Sequence, residues 1–501
     1  MIASAGFTRS DGARLLDRLA QLGVPLADLT ADSRAVKMGS IFVAYPGTVQ
    51  DGRAFIADAI TRGAAAVIWE HTNFKWDERR EIPNLGVDNL RGRISEIAGA
   101  VYGDPSETLW MAGVTGTNGK TTVSQWIAAA SDALGRRSAA IGTLGNGMVG
   151  ERVEGKNTTP DPIVLQRLLA EYLRRGARNV AMEVSSHGLD QGRVAGIKYN
   201  CAVFTNLTRD HLDYHGTMQA YAEAKYRLFG MRGITHAVIN VDDATGGEFS
   251  RKLHGSGIQV INYSTNPGEV RGPILRASEV RLSEAGVHFR VDGDFGAADV
   301  DAGVLGAFNV SNLLAVLGAL IAQGITFDDA VGALRGLQPV PGRLERVGGG
   351  RTPLVVVDYA HTPDALEKAL TALKPTVAAG HKLVCVFGCG GDRDPGKRPM
   401  MGQAAARLAD QLVVTSDNPR SEDPHAIIEQ ILAGIAPGQA EAIEDRQVAI
   451  FSAVHHARAG DVVLLAGKGH ETYQEIAGVR HPFNDREVGA AALAQWEAGT
   501  A

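Results

Sequence analysis

Gly113-Val-Thr-Gly116-Thr-Asn-Gly119-Lys120-Thr121-Thr122 follows an apolar run that starts at Trp110 and precedes Val123, Trp126, Ile127, Ala130 and Leu134 at helical spacing. In order this reads as strand, glycine turn and helix, the setting that a phosphate-binding loop requires. Glycines let backbone N–H groups close on phosphate oxygens, Lys120 can reach the β- and γ-phosphates, and Thr121 can hold Mg²⁺. An ATP site is expected over Gly116, Thr117, Asn118, Gly119, Lys120, Thr121 and Thr122. The strict Walker spacing is not met, because its first glycine would fall at Val114 whereas glycines stand at 113 and 116. A glycine turn followed by a helix-capping threonine is the plainer alternative, but it leaves Lys-Thr-Thr at a helix start unexplained. The loop alone does not separate a kinase, an ATPase and a ligase.

The same alternation continues on both sides. Strands are expected at Asn179 to Val184, Cys201 to Asn206 and His236 to Val241, then at Leu354 to Asp358, Leu383 to Gly388, Leu412 to Ser416 and Val462 to Ala466. Short β-branched runs alternating with amphipathic ones, with many of the 60 glycines at their junctions, indicate parallel α/β layers. Residues Ile258 to Asp294 look antiparallel, and Phe308 to Gln323 reads as a buried helix. The turn-rich Tyr102-Gly-Asp-Pro105 marks one boundary; Gln338-Pro-Val-Pro-Gly-Arg343, with two prolines and a glycine, marks a second. Three domains result: 1–105, 106–337 and 338–501.

At 501 residues the chain exceeds what one core supports. A net charge of −6 gives no sign of the basic surface that nucleic acid or anionic membranes attract. The N-terminus lacks a signal-peptide core, and no stretch supplies the ~18 uncharged apolar residues of a spanning helix, so a cytoplasmic chain without membrane insertion is expected. Cys201, Cys385 and Cys389 read as reduced, buried thiols; the last pair lacks a second Cys/His cluster, which speaks against a metal site.

The form Gly-Thr-Asn-Gly-Lys-Thr-Thr at 116 to 122 resembles the Mur ligases and their relative folylpolyglutamate synthase. Glu183-Val-Ser-Ser-His-Gly-Leu189, Asn206-Leu-Thr-Arg-Asp-His-Leu-Asp-Tyr-His215, Phe308-Asn309-Val-Ser-Asn312, Pro341-Gly-Arg343 and Asp358-Tyr-Ala-His-Thr-Pro-Asp364 resemble further blocks of that family, in its order and over nearly the whole chain. Gly388-Cys-Gly-Gly-Asp-Arg393-Asp, Asp417-Asn-Pro-Arg420 and Gly467-Lys-Gly-His-Glu471 are similar to the members that extend a UDP-linked muramoyl dipeptide to a tripeptide with meso-diaminopimelate in peptidoglycan synthesis. The resemblance implies an α/β chain of three domains: a smaller N-terminal UDP-substrate domain, a central P-loop ATPase-like domain on a mostly parallel sheet, and a C-terminal Rossmann-like amino-acid domain. It implies ATP, Mg²⁺, an acyl-phosphate intermediate and, with no nucleic-acid partner, a monomer.

By resemblance, Glu183 and His211 hold Mg²⁺ at strand ends beside the loop, and Lys225 is the family's carbamylated lysine (N6-carboxylysine). CO₂ reverses the sign of Lys225, whose carbamate can ligate Mg²⁺ where a free ammonium would add charge to a site full of cations. The plainer alternative for Glu183 is a surface carboxylate; without the resemblance, Lys225 reads as a solvated helix lysine. Asn157, Thr158, Thr159, Ser185, Gln191 and Arg193 match muramoyl-peptide contacts, although the threonines would also serve as caps for the helix after Pro160. Ser33, Thr48, Val49 and Gln50 are expected to face the uridine. Asn309, Arg343, Asp358 and His361 are expected near the nucleotide, with Arg343 beside a hinge that closure would bring into play. For the amino acid the resemblance implies Arg393, Asp417, Asn418, Pro419, Arg420, Gly467 and Glu471. Arg420 matches the distal carboxylate of diaminopimelate bidentately; lysine would leave that guanidinium unpaired. Asp417, Asn418 and Glu471 can receive the ammonium.

Three rival readings remain at this level: a ligase of the same fold adding L-lysine, a folylpolyglutamate synthase, and a binding protein that ATP switches without ligation. Arg420 speaks against the first. A switch needs none of the amine-site chemistry.

Overall fold

The computed structural model describes residues 9–24, 28–47 and 50–500. They gather into two compact units. One holds the described residues up to Tyr263 together with Val270–Pro273 and Gly318–Ile325; the other holds Ser264–Glu269, Ile274–Leu317 and the residues from Thr326 on.

The first unit begins with a four-stranded parallel sheet, Leu29–Thr30, Ile41–Ala44, Ala66–Glu70 and Asn84–Val87, in chain order. Its main sheet is ordered Gln259–Ser264, His236–Asn240, Cys201–Phe204, Trp110–Thr115, Asn179–Glu183, Ser138–Gly142, Gly145–Met148, and only the last pairing is antiparallel. Trp110–Thr115, first of these in sequence, lies between two later strands. That is the switch point at whose carboxyl edge open α/β sheets bind ligands. Gln259–Ser264 corrects part of the sequence reading of Ile258 to Asp294: it runs parallel to His236–Asn240, while Ile274–Ser283 and Gly286–Gly293 pair antiparallel. Alternating residues report burial of a face but not strand direction.

In the second unit, Ile274–Ser283, Gly286–Gly293 and Gly296–Ala302 form an antiparallel meander. Its six-stranded sheet is ordered Glu345–Gly348, Leu354–Asp358, Val462–Ala466, Leu383–Phe387, Gln411–Val414, Ala440–Ala442, parallel except at the first pair. The run Leu354-Val-Val-Val357 is apolar throughout because helices cover both faces. Thr362 and Asp423 cap helices whose first residues are Pro363 and Pro424, which fixes where the chain leaves the sheet. The three cysteines are free and buried as expected, and burial pushes the Cys389 thiol up to about 12.

One buried ion pair ties the second sheet's carboxyl edge together. Arg446 and Asp485 are wholly inaccessible and meet through two bonds of 2.8 and 2.7 Å. Arg446 also donates to Ser416 O at 3.4 Å and Ala466 O at 3.0 Å, the residues just before Asp417 and Gly467. Removing one partner of such a pair strands a buried charge. Asp485→Ala is therefore expected to lower unfolding free energy by about 3–5 kcal/mol, read from the midpoint and slope of urea denaturation.

Candidate active site

In the first unit, the loop after Trp110–Thr115 turns on two glycines, Gly116 at φ +150° and Gly119 at φ +85°. A Cβ on Gly116 would lie 1.9 Å from Thr205 Oγ1, so no larger residue fits there. Asn118 N–H donates to Asn206 Oδ1 at 2.9 Å and Thr117 N–H to Asn206 O at 2.8 Å, which pins the loop to the end of the neighbouring strand. Lys120 opens the helix Lys120–Ala133 and folds back, its Nζ 2.9 Å from Gly116 O and 2.8 Å from Thr117 O. Thr121 and Thr122 are buried in the first turn.

Glu183 ends its strand at 1% exposure and is no surface carboxylate. It accepts Thr121 Oγ1 at 3.0 Å, Thr143 N–H at 2.7 Å and Thr143 Oγ1 at 3.2 Å. Gly142 makes this approach possible, since a Cβ there would stand 2.2 Å from Glu183 Oε1. The sequence reading missed Gly142 and Thr143; the signal was the glycine-rich Gly142-Thr-Leu-Gly145 directly after a strand.

Lys225 is also buried, at 1% exposure, in the helix Met218–Tyr226. Its Nζ donates to Gly116 O at 2.8 Å and sits 4.3 Å from the centre of the Tyr221 ring. Burial, reinforced by the charge of Lys120, holds this amine well below its usual 10.5, opposed by Asp210. Tyr221, one turn earlier, was not anticipated; its hydroxyl is 3.2 Å from Thr117 Oγ1.

His211 borders this group through Tyr221, its ring centroid 6.0 Å from that ring. It follows the end of its strand by seven residues, adopts a left-handed conformation (φ +51°), and its ring packs edge-on against His187 with centroids 4.9 Å apart. Among the described residues, no three His, Cys, Asp or Glu side chains gather into a metal site. The oxygens of Thr121 and Glu183, in bonding contact at the loop, fit a hard cation, and a carbamate on Lys225 would add oxygens of the same kind.

Asp161, not a threonine, caps the helix Pro162–Arg174. Thr159 is thereby available to Glu183 O at 3.0 Å and Ser185 Oγ at 3.1 Å, while Ser185 Oγ accepts Gly188 N–H. Arg193 donates to Thr159 O at 2.8 Å and through two nitrogens to Gln191 Oε1. Thr158 Oγ1 meets Thr143 Oγ1 at 3.0 Å, and Asn157 is exposed. Between the first two strands of the N-terminal sheet, Ser33 is buried as the first residue of a turn capped by Asp32; further on, Gln50 O accepts Gly47 N–H. Thr48 and Val49 lie outside the described residues.

In the second unit, Asp358 is half-buried at a strand end; lost hydration raises its carboxyl, Arg343 opposes, and Leu344 N–H donates to it at 2.8 Å. Arg343 lies over the Tyr359 ring at 5.1 Å, and the His361 ring is 4.6 Å from it. Asn309 donates to Leu305 O and accepts from Asn312 at its own helix start, with one N–H and one lone pair of its amide beyond these two bonds.

The amine-site residues converge on the loops after three adjacent strands of the six-stranded sheet. Gly391 N–H donates to Asn418 O, and a Cβ on Gly391 would fall 1.9 Å from Pro419 O, so the two loops are in backbone contact. Arg420, left-handed at φ +52°, donates to Gly391 O at 2.7 Å and lies 3.9 Å from Glu475 Oε2. This corrects one expectation: Arg420 has partners without any substrate, so an incoming carboxylate competes with Glu475. Arg393 is exposed on the neighbouring loop. Buried Arg398, which the sequence reading passed over, braces that loop through Glu422 at 2.8 and 2.9 Å and Gly390 O at 3.3 Å. Asn418 Nδ2 donates to Glu471 Oε2 at 2.8 Å, and Gly467 turns at φ +114° beside Asp417.

Three family models match the chain: the Mur ligase family catalytic domain over residues 25–102, the Mur ligase middle domain over 114–320 and the Mur ligase glutamate ligase domain over 342–469. The UDP-N-acetylmuramoyl-L-alanyl-D-glutamate–2,6-diaminopimelate ligase of Chromobacterium violaceum is 52% identical over 479 residues, 95% of this chain and 96% of that protein. The ligase of the same name from Ectopseudomonas mendocina is 52% identical over 96% of this chain and 98% of its own. A solved structure of a ligase of that name, 39% identical, superposes with a TM-score of 0.71 over 94% of this chain and 96% of that one.

Proposed function

The chain belongs to the Mur ligase family, and from that premise we propose that it is the ATP-dependent ligase joining meso-diaminopimelate to UDP-N-acetylmuramoyl-L-alanyl-D-glutamate in peptidoglycan synthesis. The observation that carries this reading is near-full-length identity of about half to ligases of that name, coupled with a clasped Gly391/Arg420 loop pair at the second sheet's carboxyl edge. The three-domain architecture is that of the family; we place its boundaries near residues 105 and 338.

A carboxylate forms no amide in neutral water unaided, so ATP first passes its γ-phosphoryl group to the carboxylate, releasing ADP, and the amine then attacks the acyl carbon and expels inorganic phosphate. In our reading Gly116 to Thr122 hold the triphosphate by backbone N–H groups, and Lys120 leaves Gly116 O and Thr117 O to meet it. Thr121, Glu183, His211 and a carbamate on Lys225 would hold Mg²⁺, which would neutralise charge on the transferring phosphoryl group. Thr143 and Gly142 fix the Glu183 carboxylate. Thr158, Thr159, Ser185, Gln191, Arg193 and Asn157 orient the dipeptide, with Ser33 and the segment 48–50 on the uridine side. Asn309, Arg343 and Asp358 serve the nucleotide. Asp417 and Glu471 take the distal ammonium of diaminopimelate, and Arg393 and Arg420 its carboxylates, positioning the attacking amine.

Gly142→Ala is expected to push Glu183 out of place and raise the Mg²⁺ concentration for half-maximal activity about tenfold. A magnesium titration of phosphate release checks it. Among the described residues no helix is long and apolar enough to cross a membrane; we propose a cytoplasmic monomer.

The test of the reaction is phosphate release with ATP, Mg²⁺ and the UDP-muramoyl dipeptide, adding meso-diaminopimelate or L-lysine separately and identifying products by mass. Diaminopimelate-dependent turnover to a tripeptide supports the proposal. Comparable turnover of lysine removes the specificity, and hydrolysis indifferent to any amino acid removes the ligase.

A further inference from the structure

Lys468 lies in the Gly467-Lys-Gly-His-Glu471 loop and has so far been given no task. Its side chain is wholly buried, with Nζ 3.0 Å from Asn418 Oδ1, 3.2 Å from Glu471 Oε2 and 3.5 Å from Asp417 Oδ1. Tyr473 offers the face of its ring at 5.8 Å. A buried ammonium has three donors and no acceptor, so each neighbour must present oxygen to it. Asn418 does so: Oδ1 accepts both Lys468 and Glu475 N–H at 2.9 Å, which leaves Nδ2 to donate to Glu471 at 2.8 Å. With its oxygen thus filled, Asn418 no longer offers an acceptor to a substrate ammonium.

The charges sharpen the point. Arg446 and Asp485 close on each other behind the site. In front, one positive charge on Lys468 faces two negative charges, on Asp417 and Glu471. The surplus is one negative charge, the complement of one alkylammonium. Asp417 Oδ1 is buried and, beyond the long ion-pair contact with Lys468 at 3.5 Å, accepts no hydrogen bond. A carboxylate oxygen so thinly served gains from a further donor.

We propose that Lys468 is a positioning residue of the amino-acid site: it fixes the amide of Asn418 and spaces Asp417 and Glu471 as a carboxylate pair with room for one substrate ammonium. The inference rests on the diaminopimelate reading and adds the device that makes the site selective for a second amino group.

The test compares Lys468→Met and Lys468→Gln with the unaltered chain, using meso-diaminopimelate and 2-aminopimelate, which keeps the distal carboxylate but lacks the distal ammonium. In both variants KM for diaminopimelate is expected to rise about tenfold or more while KM for ATP holds. The ratio of kcat/KM for diaminopimelate over 2-aminopimelate should fall toward one. Adding Lys468→Met to Glu471→Gln should change little further, because both disrupt one unit. If the variants lower kcat/KM for both amino acids equally and keep the ratio, Lys468 is merely structural and the proposal is overturned. If Lys468→Met does not fold, Lys468→Gln, which retains a donor without charge, carries the same comparison. Failure of the unaltered chain to use diaminopimelate at all would instead remove the reading on which the inference stands.

Discussion

Lys225→Ala is expected to abolish ligation, lowering kcat about a thousandfold, and a small carboxylate such as formate is expected to restore part of it. Lys225 is buried at 1% exposure, and its visible partners are a carbonyl and a ring face. An ammonium there is disfavoured twice, by lost hydration and by Lys120, which donates to the same carbonyl. The neutral amine is the form that reacts with CO₂, and the product is an oxygen ligand that an added carboxylate can imitate. Phosphate release with and without formate measures this; full activity of the variant without any carboxylate would refute the carbamate. The titration has a second consequence. Because the folded amine loses its proton more readily than the unfolded one, the unfolded chain binds more protons between the lowered value and 10.5, so stability rises with pH through that window. In CO₂-free buffer, denaturation midpoints should rise with alkaline pH more steeply for the unaltered chain than for Lys225→Met.

Arg420→Ala is expected to raise KM for diaminopimelate about a hundredfold or more and to leave KM for ATP within about twofold. The guanidinium is fixed before any ligand arrives, by a left-handed backbone and by Gly391 O. Only a weak pair at 3.9 Å, to Glu475, must yield to a substrate carboxylate that can meet the planar fork bidentately. Arg420→Lys should not restore the loss, since an ammonium lacks that fork. Equal effects on both KM values would make Arg420 a brace between loops.

What the sequence made legible follows from what kind of signal each feature leaves. Strands such as Leu354–Asp358 and Val462–Ala466 were found to the residue because apolar runs buried on both faces end at polar or glycine punctuation. The phosphate loop was legible as strand, glycine and helix. The direction of Gln259–Ser264 was not, since side-chain alternation is the same in either orientation. The neighbours of Glu183 come from Thr121 and Thr143, far away in the chain, so spacing around Glu183 could not announce them. Nor did local sequence set Lys225 apart from a solvated lysine: its burial is made by Tyr221 beside it and by Gly116 from more than a hundred residues away. Lys468 was quoted within its motif but passed over, because lysines are so rarely buried without a purpose that only the packing draws the eye.

The carbonyl of Gly116 accepts hydrogen bonds from Lys120 and Lys225 at once. An oxygen with two lone pairs is thereby saturated, and two lysine side chains share one acceptor. Whatever withdraws one lysine alters the charge felt by the other. If Lys225 takes up CO₂ as proposed, reciprocity binds the two events: the factor by which a nucleotide changes that uptake is the factor by which CO₂ changes the affinity for the nucleotide. On that proposal, an apparent affinity for ATP would have meaning only at a stated CO₂ tension.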